Sequence, residues 1–251
     1  MGLRKKVKKF LYNYKFNKKN YLIDIKNKNI LITGSNSGIG LAIIKKLIQL
    51  ENNIIAMYRE NSNNLDNIQN SNLIKIKCDQ KNIDDYKNLE IKLQNTKIDF
   101  IINCAGIFGP SFKEQEIENL SIKNFQEAIL INSLSIVKIT QIVLKNSFPQ
   151  IILNISSDAG SISQNQSGDA YIYRTSKSAL NSITKNMSVD LYKKYGTIVF
   201  AIDPGNVETG MNPKGHIKSD KCANLILDLI SNDVKQLNGK FINLLNQELS
   251  W

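Results

Sequence analysis

A chain of 251 residues is long enough to bury one substantial core, and its three cysteines, Cys78, Cys104 and Cys222, are too scattered for a disulfide framework or a clustered metal site. That usage suits a reducing cytosol, no apolar run approaches the roughly 18 residues that span a bilayer, and no cleavable apolar leader opens the chain, so a soluble cytoplasmic protein without a metal is expected. The formal net charge of +11 sits at one end: residues 1–29 hold ten basic side chains (Arg4, Lys5, Lys6, Lys8, Lys9, Lys15, Lys18, Lys19, Lys26 and Lys28) against Asp24 alone, whereas the remainder carries 23 basic and 21 acidic ones. A body so nearly neutral lacks the broad basic face of a duplex reader, and no nucleic-acid partner is expected.

In chain order, the basic arm over 1–27 interleaves Val7, Phe10, Leu11, Tyr12, Tyr14 and Phe16 with its lysines. That mixture reads either as a solvated extension or as an amphipathic segment at an anionic membrane surface, peripheral to it. From 28 to 251, short β-rich runs alternate with longer helical patterns, which predicts one α/β domain with a parallel sheet of about seven strands. Strands are expected at 29–33, 53–58, 73–77, 98–103, 151–156, 197–203 and 240–244, with helices starting near Gly38, Ile83, Ser121, Tyr171 and Ser219. The strands are continuous apolar runs, as required when helices cover both faces of a doubly wound sheet and give three layers. Ligands of such sheets bind beyond the carboxyl ends of the strands.

Directly after the first strand comes "TGSNSGIG", residues 33–40. Gly34 permits the sharp turn, Gly38 lets backbone approach a diphosphate, and Gly40 allows close helix packing, while free N–H groups at the helix start bind the anion. The tip of the second strand carries Tyr58 and Arg59 where a carboxylate would select a free 2′-hydroxyl. Arg59 would pair with a 2′-phosphate, which favours NADP(H) over NAD(H), although Glu60 adjoins it and a solvated arginine would look the same. In "AYIYRTSKSALN", residues 170–181, helical geometry puts Tyr173 beside Lys177 and turns Tyr171 elsewhere. Tyr14 and Lys18 share that spacing, so the pair has no meaning apart from its surroundings. Hydrolysis through Ser-His-Asp is excluded in practice, because the one histidine, His216, follows a Pro-Lys-Gly turn far from any nucleophile elbow.

Taken together, the TGxxxGxG turn, "NCAG" (103–106), Asn132 in "LINSLS", "NISS" (154–157), "YRTSK" (173–177) and "DPGNVETGM" (203–211) resemble the ordered motif set of the short-chain dehydrogenase/reductase superfamily. The pattern is nearest to its C-signal and sniffer-type carbonyl reductase branch, and it covers the chain from 28 onward. The resemblance implies a Rossmann-type fold and an NAD(P)H-dependent reductase of ketones or aldehydes, or an oxidase of the matching alcohols. It implies Tyr173 as catalytic acid/base, Lys177 as its electrostatic partner and ribose ligand, Ser157 as carbonyl binder with Ser156 as the alternative, and Asn132 as anchor of a water beside the lysine, the alternative for Asn132 being a helix-interior amide that satisfies the backbone. On that reading Lys177 and an oxidised nicotinamide ring together favour the ionised form of a phenol whose free pKa is about 10. For the cofactor it implies Gly34, Ser35, Gly38, Ile39 and Arg59 at the phosphates and ribose and Asp79 at the adenine edge. Asn103, Ala105 and Gly106 fall at the second ribose, Pro204 and Gly205 flank the nicotinamide, and Val207 and Thr209 meet its carboxamide. Ser37 departs from the basic residue found there in many NADP users. A homodimer or homotetramer is common in the superfamily, through the helices starting near Ser121 and Tyr171. The extended, sugar-nucleotide branch would need a large C-terminal lobe, and only 74 residues follow Lys177. A nucleotide-binding signalling or sensor protein of the same fold, or a sugar-ketone reductase, are the other readings, and a tuned phenol favours the enzyme. Only a short loop separates Gly205 from Ser219, so an open substrate pocket is expected.

Overall fold

The structure is a computed structural model and describes residues 24–232 and 234–251. All but positions 24–27 of the expected basic arm lie outside the described residues. Seven strands form one parallel sheet: β1 (Asn29–Thr33), β2 (Asn53–Tyr58), β3 (Leu73–Lys77), β4 (Phe100–Asn103), β5 (Ile151–Ile155), β6 (Ile198–Asp203) and β9 (Phe241–Asn243). Their order is β3-β2-β1-β4-β5-β6-β9, so the chain reverses direction across the sheet between β1 and β4. At such a switch point the exits of β1 and β4 diverge and leave a crevice.

Alternation along the strands explains why each run is apolar throughout. Ile30 and Ile32 of β1, Phe100 and Ile102 of β4 and Phe200 of β6 pack toward α1 (Gly38–Ile48) and the C-terminal α6 (Ser219–Ser231). The intervening Leu31, Ile101, Ile152 and Val199 pack on the opposite face with α2 (Ile83–Leu93), α4 (Ser135–Val143) and Leu191 of α5 (Tyr171–Tyr195). Both sets are withdrawn from water, which gives the three layers and the principal apolar driving force. Ile25 is buried in the first of these clusters, so packing begins just ahead of β1. Among the described residues, no helix is long and apolar enough to cross a membrane.

Three local differences from expectation have physical causes. The fourth strand starts at Phe100 and not at residue 98: the Ile98 N–H leaves the ladder to donate to Ser147 Oγ, and Asp99 forms a bend whose backbone still bonds Asn29 and Gln150. Helix α3 (Ile122–Ile129) is capped by Ser121 and does not run straight into α4; a π-helical segment, Leu130–Leu134, stands between them. The stretch after Gly205 is more than a loop: β7 (Val207–Glu208) and β8 (Ile217–Lys218) pair in parallel as a small second sheet.

Candidate active site

The cradle at the end of β1 is built from close backbone approaches. Buried Thr33 accepts the N–H groups of Cys104 and Ala105 on its Oγ1 at 3.1 and 3.0 Å, tying the exit of β4 to that of β1. Gly34 has φ +65°, and a Cβ there would stand 2.8 Å from the Ala105 backbone. A Cβ on Gly40 would come within 2.4 Å of the Gly34 carbonyl oxygen, so α1 sits as close to the turn as glycine allows. The Ser37 side chain caps none of the first N–H groups of α1, and the first turn holds no acidic residue. Those donors and the positive end of the helix dipole are free for an anion.

A cleft of about 290 Å³ runs from this turn past Arg59 and Asp79 to Ala105, Gly106 and Ile107. Its glycine floor, free helix N-terminus and Arg59 fit the diphosphate and ribose of a dinucleotide. Thr209 reaches the same place from the far side, with its Cγ2 3.1 Å from where a Gly38 Cβ would be. Ile39 lies one residue into α1, and Pro204 and Gly205 form the exit of β6.

Four expected contacts look different in the fold. Ser35 is buried, donating Oγ–H to the Ile32 carbonyl at 2.7 Å and its N–H to Met57 O at 3.1 Å, so it shapes the turn. The Asn103 amide points into the sheet and donates to Asn154 Oδ1 at 2.8 Å, away from the cleft. Val207 is buried in β7, and Arg59 forms an ion pair at 2.9 Å with Glu60.

The candidate reacting groups lie around the exit of β5. Ser156 turns inward and donates to Asn181 Oδ1 at 2.6 Å, whereas the Ser157 hydroxyl donates to Asp158 Oδ1 at 3.2 Å and lies close enough to the Tyr173 phenol to favour its charged form. The alternative between the two serines therefore falls on Ser157. One turn along α5 from Tyr173, buried Lys177 donates its Nζ–H to the Ile155 carbonyl at 2.9 Å and stands 5.8 Å from the centre of the Tyr173 ring. A Gly106 Cβ would lie 3.6 Å from Lys177 Nζ, so the lysine adjoins the cleft. Gly160 lets the turn after Ser157 press on α5, since a Cβ there would be 2.9 Å from the Lys177 backbone. The sequence singled out neither this glycine nor Thr33 as a clamp; its position three residues past a strand-end serine was the available signal.

Asn132 occupies the π segment, and its amide is fully engaged. Its Oδ1 accepts the Ile107 N–H, and its Nδ2 donates to the Ile107 carbonyl and to Ser176 Oγ, each at 2.8 Å. The side chain thus fastens the loop after β4 to α5, where a water anchor was expected.

Burial dominates the proton affinities here. Burial, helped by the carboxylates of Asp203 and Asp158 and opposed by the Ser157 hydrogen bond, pushes the Tyr173 phenol up to about 12. Burial draws the Lys177 ammonium down to about 8, with Nζ held on the Ile155 carbonyl. Burial and the Asp158 charge raise Asp203 to about 6. At neutral pH the phenol is a protonated donor.

Lys177 has a consequence for stability. The folded chain binds fewer protons than the unfolded one between the folded value of about 8 and the ordinary 10.5, so its stability rises with pH through that window and the cost is fully present below it. Relative to Lys177→Met, the nucleotide-free wild type should gain on the order of a few kcal/mol between pH 8 and 10.5, read as several degrees in thermal midpoint by calorimetry. A gap independent of pH would show that the lysine keeps its ordinary proton affinity.

Comparison with known proteins identifies the family. The short chain dehydrogenase family model matches residues 28–219. The chain is 29% identical over 215 residues to an L-rhamnose 1-dehydrogenase (NADP(+)) of Thermoplasma acidophilum, covering 80% of this chain and 81% of the relative. It is 27% identical over 158 residues to the C-signal protein of Myxococcus xanthus, covering 61% and 93%. Among solved structures, the carbonyl reductase Sniffer of D. melanogaster superposes with a TM-score of 0.81 at 27% identity, over 90% of this chain and 100% of that one. With its seven-stranded sheet, glycine cradle and tyrosine–lysine helix, the chain belongs to the short-chain dehydrogenase family of NAD(P)-dependent dehydrogenases and reductases.

Proposed function

We propose that the protein reduces a small ketone or aldehyde with NADPH, and oxidises the matching alcohol in reverse. The carrying observation is that the hydroxyls of Ser157 and Tyr173 meet at the exit of β5, with Lys177 one turn behind and Gly106 beside it. A carbonyl oxygen placed between the two hydroxyls would accept hydrogen bonds from both, which stabilises the negative charge that develops there. A bound nicotinamide supplies the hydride. Tyr173, protonated at neutral pH, delivers the proton to the oxygen, and the Lys177 ammonium stabilises the phenolate left behind. The high affinity of this phenol for its proton suits the reductive direction near neutrality: the alcohol-oxidising direction, which needs the phenolate, should quicken as the pH is raised.

Arg59 at the tip of β2 supports NADP(H), and the NADP(+)-dependent sugar dehydrogenase among the relatives points the same way. Pairing with a 2′-phosphate would draw Arg59 from Glu60. A charge-assisted contact of this kind contributes about 1.5–3 kcal/mol, so Arg59→Ala should weaken NADPH binding roughly ten- to hundred-fold and leave NADH within about two-fold. Fluorescence titration with both nucleotides, followed by NADPH oxidation against a carbonyl panel, makes the test. Equal losses for the two nucleotides would remove the phosphate assignment, and failure of wild type to oxidise NADPH with any carbonyl would remove the reductase.

A further inference from the structure

Helix α5 begins without a cap. Its N-cap is Ala170 in the left-handed region (φ 52°, ψ 46°), with no side-chain oxygen to offer the first N–H groups. Such donors need partners when buried. The third of them belongs to Tyr173, and it donates at 2.9 Å to Oε1 of Gln115, 58 residues away.

Gln115 is completely buried on a single 3-10 turn, Lys113–Gln115, and its Nε2 donates to the carbonyls of Phe108 (3.1 Å) and Pro110 (3.0 Å). That same loop lays the Phe108 ring against the Tyr173 ring, with centroids 5.0 Å apart. Gly109, at φ +92°, leaves room for Ile172, whose Cγ2 would be 3.5 Å from a Cβ there. The carbonyl side of Tyr173 is held too: it accepts Ser176 Oγ–H at 2.7 Å, and Ser176 Oγ accepts from Asn132 Nδ2. Two buried amides thus clip the loop after β4 to the peptide groups on either side of one tyrosine.

We propose that Gln115 is a positioning residue that caps α5 at Tyr173 and sets the phenol against Ser157, linking that geometry to the Phe108 loop. The assignment rests on Tyr173 as the proton donor. A buried amide with every polar atom engaged tolerates little displacement, so loss of its acceptor should shift the tyrosine and slow the proton transfer more than binding.

Gln115→Met removes the hydrogen bonds at similar volume. The expected result is a kcat, per NADPH-binding site, at least ten-fold below wild type, with NADPH affinity unchanged and a larger isotope effect from C4-deuterated NADPH. Gln115→Glu, which still accepts the Tyr173 N–H, should recover part of that kcat. Unchanged kcat per binding site in Gln115→Met would overturn the proposal, since a merely structural role predicts that outcome. Should neither variant fold, amide-resolved hydrogen exchange on wild type decides: the Tyr173 N–H should be protected to the level of Arg174, and exchange as fast as an unbonded amide would overturn it. If wild type reduces no carbonyl, the reductase reading fails, while the exchange measurement still judges the cap.

Discussion

Tyr173→Phe is expected to lower kcat for NADPH-dependent carbonyl reduction by about three orders of magnitude, the middle of the range for a removed general acid. NADPH affinity should stay within about two-fold, because the cradle at Gly34, Gly38 and Gly40 is remote from the phenol and the phenyl ring keeps its packing on Phe108. The size of the effect follows from the local chemistry. On the proposed mechanism, the Tyr173 hydroxyl is protonated at neutral pH, lies beside Ser157 and gives its proton to the carbonyl oxygen while the nearby Lys177 ammonium stabilises the phenolate left behind. Ser157 can donate a hydrogen bond but cannot replace a lost proton. Steady-state kinetics with a fluorescence titration separate the two quantities. A variant that turns over at the wild-type rate would assign the proton to another group.

Gly40→Ala should be nearly as damaging for a different reason. Its Cβ would lie 2.4 Å from the Gly34 carbonyl oxygen, a backbone atom that cannot swing aside as a side chain could. Relief requires α1 to slide away from the turn, which opens the core contacts of Ile43, Ile44 and Leu47 and misplaces the uncapped N–H groups at the helix start that would bind a diphosphate. Overpacking against main chain costs about 1–3 kcal/mol or more, so a loss of several degrees in thermal midpoint and NADPH binding weaker by at least about ten-fold are expected together. Gly210→Ala is the control, since nothing lies within 4 Å of its added Cβ and stability should be unchanged. Calorimetry on the three proteins reads the contrast; equal midpoints for Gly40→Ala and wild type would show that the turn yields easily.

Much of this was legible in the sequence because it is local. The first three strands occupy the residues their apolar runs predict, bounded by a glycine turn or a polar stretch at each end. Four-residue spacing on an uninterrupted helical pattern is enough to put Tyr173 and Lys177 on neighbouring turns of α5. What escaped depends on distant partners. "LINSL" contains no helix breaker, yet it winds as a π segment where Asn132 and Ser133 reach Ile107 and Ser176 on other elements. The inward aim of Asn103 and Ser35 follows from Asn154 and Ile32, which no motif spacing encodes. Burial was equally hidden from the spacing: both the phenol and the ammonium are desolvated, and desolvation opposes charge on each. Gln115 gave no signal at all, since its partner is a backbone N–H.

The central claim is that hydride reaches a carbonyl carbon while Tyr173 protonates its oxygen. Single-turnover reduction with stereospecifically C4-deuterated NADPH, followed by mass spectrometry of the alcohol, measures this directly. The account predicts one deuterium on the carbinol carbon per NADPH oxidised, from one face of the nicotinamide only, and none formed by Tyr173→Phe on the same timescale. NADPH consumed without deuterium in the alcohol, or equal labelling by both proteins, would contradict it.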